Sequence, residues 1–163
     1  MDLNILWLVP ISYCIHIVEE SPRFVPWATR YFSAPTTFGQ FVLGNVILMA
    51  YVLISISLAV FYPSELTIVI GLATAAWIFS NFLIHAFYTL YTGEYSPGVV
   101  TASAIYAPVA VYIYSVFIGS GTLSRIDIIA SVIFGFAVMY IPTFIQIWRG
   151  KRLDIRAIAA KKG

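Results

Sequence analysis

The chain has 163 residues, of which 61% are hydrophobic and only 10% charged, with a formal net charge of +2 and a mean hydropathy of +0.91. That composition excludes a soluble globule and points to one integral membrane domain, whose solvent is the bilayer. A single cysteine, Cys14, excludes an intrachain disulfide and any cysteine-rich metal motif, and so small a net charge gives no reason to expect a nucleic-acid partner.

Five stretches meet the need for about 20 apolar residues per crossing. The expected fold is therefore all-α: a bundle of five transmembrane helices over residues 1–148 and a basic cytoplasmic tail over 149–163. The first span covers about 3–20. Pro10 is expected to kink it, which a membrane helix tolerates, and Pro22 to stop it. Cys14 within it reads as a small buried side chain. The run begins Met1-Asp2, without a basic leader, and ends in Glu-Glu-Ser-Pro, so it reads as a retained helix and not a cleaved signal.

Residues 21–37 differ in character. Phe24, Trp27, Ala28 and Tyr31 follow helical spacing, flanked by Arg23 and Arg30. This is an amphipathic segment lying in the membrane interface, either a plain lipid-surface anchor or a gate for a lipid-like substrate. The second span covers about 38–61, ended by Tyr62-Pro63, and the third about 66–91. The fourth covers about 97–118, starting at Pro97 after the N-cap candidate Ser96. A tight Gly119–Thr122 loop leads to the fifth, about 126–148. No internal repeat marks the chain as a transporter of the inverted-repeat kind.

Orientation follows from the basic residues. An odd number of spans puts the termini on opposite sides. With the tail in the cytoplasm, that side holds Arg149, Lys151, Arg152, Arg156, Lys161 and Lys162 together with Arg23 and Arg30, while the outer side holds only Arg125. The positive-inside rule then sets the N-terminus outside and the C-terminus in the cytoplasm, with the plasma membrane of a prokaryote as the default location.

The polar residues cluster by depth. His16, Glu19 and Glu20 sit at the inner end of the first span, within one helical arc of roughly 100°. Asn81 and His85, at i and i+4, share a face of the third. At 1.5 Å per residue His85 lies roughly 10 Å inside the span's end. Gln40 and Asn45 are near the inner start of the second span, Thr101 near that of the fourth, and Gln146 near the inner end of the fifth. Each helix thus brings polar groups to one level. Such groups are costly in lipid, so they face the bundle interior and pair. Plainer readings exist for each alone: a glutamate pair where a helix leaves the bilayer, an interhelical hydrogen bond for His85, a solvated loop charge for Glu94. Both histidines of the chain at one depth favour a site.

Between the third and fourth spans runs Tyr95-Ser96-Pro97-Gly98-Val99-Val100-Thr101. Gly98 permits close packing, and the helix N-terminus after it is expected to face an anionic group or developing oxyanion. With this stretch the chain resembles the HXXEE family of small prokaryotic membrane proteins: His16-x-x-Glu19-Glu20, then Asn81-x-x-x-His85, then Tyr95-x-Pro97-Gly98-x-x-Thr101. The resemblance implies that these residues belong together; it names no substrate.

Two histidines and a glutamate are the ligand types of catalytic zinc and of facial-triad iron. The expected site is one divalent metal, zinc or iron, held by His16, Glu20 and His85. Glu19 and Glu20 diverge by about 100° on a helix, so one ligates and the other orients a histidine or moves protons. Glu19, Glu20, Asn81 and Tyr95 are the candidate catalytic groups, acting on a membrane lipid or other apolar substrate. The alternatives are metal-free acid–base isomerisation of a lipid, and a non-catalytic binding subunit of a membrane complex.

Overall fold

A computed structural model describes the backbone of residues 2–32 and 36–160, and the side chains of 2–31, 36–145, 147 and 148. The described chain is all-helical, with five helices long and apolar enough to cross a membrane and one short amphipathic helix between the first two. α1 spans Leu3–Glu20, opening as a 3₁₀ turn over Leu3–Trp7 that Asp2 caps by accepting from the Asn4 N–H. Pro10 sits in the first turn of the α-helical part, where a missing N–H costs little. The irregularity expected at Pro10 falls instead at the 3₁₀-to-α change, Trp7–Leu8.

α1 buries Val9, Tyr13, His16 and Glu20, spaced by four, three and four, and exposes Ile11, Ile15 and Val18 on the other side. A helix repeat of 3.6 residues turns the first set to the bundle and the second to lipid. Cys14 belongs to the second set and is exposed, which corrects the expectation that it is buried.

α2 spans Phe24–Phe32, α3 Phe38–Phe61, α4 Glu65–Thr92, α5 Val99–Ser120 and α6 Arg125–Ala160. The apolar crossing in α6 ends at Ile145, and the helix runs on through the basic segment. Capping boxes start α3 (Thr37 with Gln40) and α4 (Ser64 with Thr67), satisfying the first free N–H groups. Gln40 is thereby occupied at a helix end and is not part of an intramembrane cluster.

α4 is the hub, packed against α1, α3, α5 and α6. Its Leu72, Ala73, Ala75 and Ile78 are fully buried. Small residues let the backbones close in, as membrane packing requires without a hydrophobic drive between helices. A Cβ on Gly135 of α6 would lie 2.3 Å from the Ala73 carbonyl oxygen, and one on Gly71 2.7 Å from the Ala59 Cβ. Large side chains such as Leu43, Ile47, Ile129 and Ile133 face outward from α3 and α6. This packing fixes the relative heights of α1, α4 and α5, so that the ends of α1 and α4 meet the start of α5 under α2.

Candidate metal centre

At that junction His16 and His85 are 1% and 2% exposed and Glu20 is 7% exposed. Their potential ligand atoms all lie within 4.8 Å of one another. The Glu20 carboxylate stands between the rings, 3.9 Å from His16 Nε2 and 3.7 Å from His85 Nε2. The ring centroids are 5.1 Å apart. The Glu20 backbone carbonyl accepts from the Arg23 N–H, while the buried His16 Nε2 has no hydrogen-bond partner among the described residues.

The far nitrogens are tied down. His16 Nδ1 is 2.9 Å from Thr101 Oγ1, and His85 Nδ1 is 2.9 Å from Ser96 Oγ. The Thr101 hydroxyl donates to the Gly98 carbonyl at 3.3 Å, so its oxygen accepts from His16 Nδ1–H. That tautomer leaves the lone pair on Nε2, facing Glu20. A hydroxyl behind each imidazole holds the ring in place, the part that a carboxylate, a backbone carbonyl or water plays behind metal-bound histidines.

Gly98 forms the wall between the two rings. Its φ is +97°, and a Cβ there would lie 2.5 Å from His16 Cε1, 3.0 Å from His16 Nε2 and 3.2 Å from His85 Cε1. Glycine is needed here both for the backbone conformation and for the space. Around this core, Tyr106 packs on His16 at 4.4 Å between centroids, and Trp27 of α2 stacks over His85 at 6.2 Å. Tyr106 ends a π-helical turn, Ala102–Tyr106, inside α5; such turns recur at functional sites.

Glu19 turns away from the trio. Its carboxylate accepts from the N–H groups of Val100 at 3.1 Å and Thr101 at 2.7 Å, and from the Tyr95 hydroxyl. The first free N–H groups of α5 therefore face an anionic group, and the chain itself supplies it. Helix-dipole and hydrogen-bond terms both favour this placement. Tyr95 accordingly reaches Glu19 and not the trio. Burial, reinforced by the Glu19 charge, pushes its hydroxyl above the ordinary range, so it stays a donor.

α5 begins at Val99 with Gly98 as N-cap, not at Pro97 behind Ser96. The Ser96 hydroxyl is engaged by His85, which is why it does not cap the helix. Asn81 lies one turn from His85, but no hydrogen bond ties it to the trio, and its buried Oδ1 has no partner among the described residues. Asn45 accepts from Tyr13 at 2.7 Å and donates to the Phe41 carbonyl, away from the cluster. Glu94 is not merely solvated: Arg30 and Tyr31 of α2 donate to it at 2.9 and 2.7 Å. The Gln146 side chain lies outside the described residues. Sequence reading set Trp27 in an interfacial anchor or gate without joining it to the histidines, and missed Tyr106 as a site wall and Ser96 as a histidine partner. Aromatic residues in apolar helices carry no signal that separates a wall from core, whereas Ser96 sits in a motif with Gly98 and Thr101 and was findable.

The model of a family described as "Protein of unknown function with HXXEE motif" matches residues 7–113, which include every residue of the site described above. No curated protein and no solved structure matches the chain.

Proposed function

The chain belongs to the HXXEE family, and from the geometry of its site we propose that it is an intramembrane metalloenzyme acting on a lipid or other apolar substrate. One observation carries the reading: three buried potential ligand groups converge within 4.8 Å of one another, and His16 Nε2 among them has no hydrogen-bond partner among the described residues. A carboxylate in so dry a place is expensive. A cation at that point offsets the cost.

The donor set fits one zinc or iron ion. Four-coordinate binding with bonds near 2.1 Å sets ligand atoms about 3.4 Å apart; the three candidate atoms here lie within 4.8 Å of one another, so the two rings and the carboxylate must draw together around an ion. Gly98 keeps the space beside both imidazoles open. Three protein ligands leave a coordination position for a water or substrate atom, and a bound metal supplies Lewis-acid polarisation and an activated water. The chain's own residues do the rest. Thr101 and Ser96 hold the rings in register, and Glu20 supplies the negative charge. Glu19, held by Tyr95 and the α5 N-terminus, positions the loop carrying Ser96 and Gly98. Trp27 and Tyr106 exclude water. A site within the apolar spans and nearly closed to water is reached most directly from the membrane phase, which favours an apolar substrate. The charge bias of the sequence supports a cytoplasmic-leaflet location for this end of the bundle.

The test is elemental analysis of protein purified without chelator through a tag lacking histidine. Wild type is expected to carry about one zinc or iron per chain, the stoichiometry of a three-ligand site, and His85→Ala essentially none. Metal far below that level in wild type, unchanged after reconstitution with either ion, overturns the reading.

A further inference from the structure

The site is closed on its interfacial side by one short helix, which among the described residues rests on ring contacts to Phe41 and Tyr88 and on hydrogen bonds to Glu94. α2 presents Trp27 and Ala28 inward, with Trp27 stacked over His85 and edge-on to Tyr88 at 5.2 Å. At its start, Arg23 lies over the Tyr95 ring at 5.9 Å and has no carboxylate partner among the described residues. At its end, Arg30 and Tyr31 hold Glu94. Glu94 and Tyr95 belong to the same loop as Ser96 and Gly98, so α2 is fastened to the segment that walls the histidine pair.

We propose that α2 is the gate of the site, that Arg30–Glu94 is its latch, and that the phosphate of an anionic phospholipid opens it by taking Arg30 and Arg23. This rests on the site reading above and names what admits its substrate. The Arg30 and Glu94 side chains are 65% and 47% exposed, and an exposed pair of this kind is a weak bond in water. A planar guanidinium at headgroup depth prefers a phosphate, which it can grip with two donors. Arg23, in the turn just before the same short helix, supplies a second cation with no carboxylate partner to leave among the described residues. Lipid phosphates whose charge no headgroup cation offsets, unlike those of phosphatidylcholine, therefore compete well against one glutamate when concentrated in a membrane surface, and Glu94 no longer holds Arg30 once they bind. Tyr31 alone then retains Glu94. Trp27 leaves with the helix and uncovers His85.

The gate can be read without any metal. His16 and His85 are the chain's two histidines, and the rate at which diethyl pyrocarbonate modifies them in metal-free protein reports access to the site. The protein is placed in nanodiscs of phosphatidylcholine, or of phosphatidylcholine with phosphatidylglycerol, and modification is followed by mass spectrometry. Wild type is expected to react several-fold faster with the anionic lipid. Glu94→Gln should react at the fast rate in both lipids. Arg30→Gln should also be fast in both, and Tyr31→Phe intermediate in phosphatidylcholine. An unchanged melting temperature of these variants assigns the faster rate to the gate. If Glu94→Gln does not fold, Arg30→Gln and Tyr31→Phe carry the comparison. Equal slow rates for wild type in both lipids, or for the latch variants and wild type in phosphatidylcholine, overturn the proposal. So does equal acceleration by soluble inorganic phosphate, which would remove the lipid from it. A chain that binds no metal but shows the lipid-dependent rates sinks the metal reading and leaves the gate standing; the reverse pattern does the opposite.

Discussion

Replacing Gly98 by alanine tests whether the space between the histidines is a functional one. The backbone there has φ +97°, and an L-residue in left-handed geometry costs about 1–2 kcal/mol. The new methyl would stand 2.5 Å from His16 Cε1 and 3.2 Å from His85 Cε1. Overpacking of that kind costs about 1–3 kcal/mol when the neighbours cannot yield. Here they are held from behind, His16 by Thr101 and His85 by Ser96. If the rings move, the steric part of the penalty falls on the arrangement that holds the metal, and 1–3 kcal/mol corresponds to roughly 5- to 150-fold weaker binding. Gly93→Ala is the control: its φ is +68°, but nothing lies within 4 Å of the added carbon. Thermal unfolding in detergent and competitive zinc titration are the assays. Gly98→Ala should melt below Gly93→Ala and bind zinc more weakly, while Gly93→Ala binds like wild type. Identical behaviour of the two variants in both assays would refute the reasoning.

The two adjacent glutamates should separate cleanly. Glu20→Gln is expected to lose the metal. Glu19→Gln should keep it while destabilising the protein by about 2 kcal/mol, the scale of a lost charged cap; metal loss in Glu19→Gln with retention in Glu20→Gln would reverse their roles. Orientation is tested with single cysteines at Ser64 and Ala160 in a Cys14→Ser background and a membrane-impermeant thiol reagent on intact cells. Labelling at position 64 alone is expected, and labelling at 160 alone would contradict the charge argument.

The spans were legible because bilayer thickness acts on length and hydropathy alone. Two of the five, Leu3–Glu20 and Phe38–Phe61, match residue for residue. The start of α5 was misplaced because Ser96 has the chemistry of a cap and another use for it. Side-chain hydroxyls do not declare their partner, and His85, eleven residues away, is reached only once α4 and the loop are packed. Gln40 reads as part of the polar layer for a similar reason: a polar side chain near the start of a span looks the same whether it faces the bundle or closes a capping box with the residue three positions before it, as Gln40 does with Thr37.

The carboxylates show where sequence reasoning stops and packing decides. From the helix repeat alone, Glu19 and Glu20 must point about 100° apart, so a division between them was predictable. Which one joins the histidines depends on what stands opposite each, and that is set by α4 and α5. α4 brings His85 opposite Glu20. α5 brings two free N–H groups opposite Glu19, and a carboxylate gains more there than beside another carboxylate. Glu19 thereby fastens the end of α1 to the very loop that carries Gly98 and Ser96. The paired glutamates of this chain are thus two parts of one arrangement, one inside the cluster and the other holding the wall that shapes it.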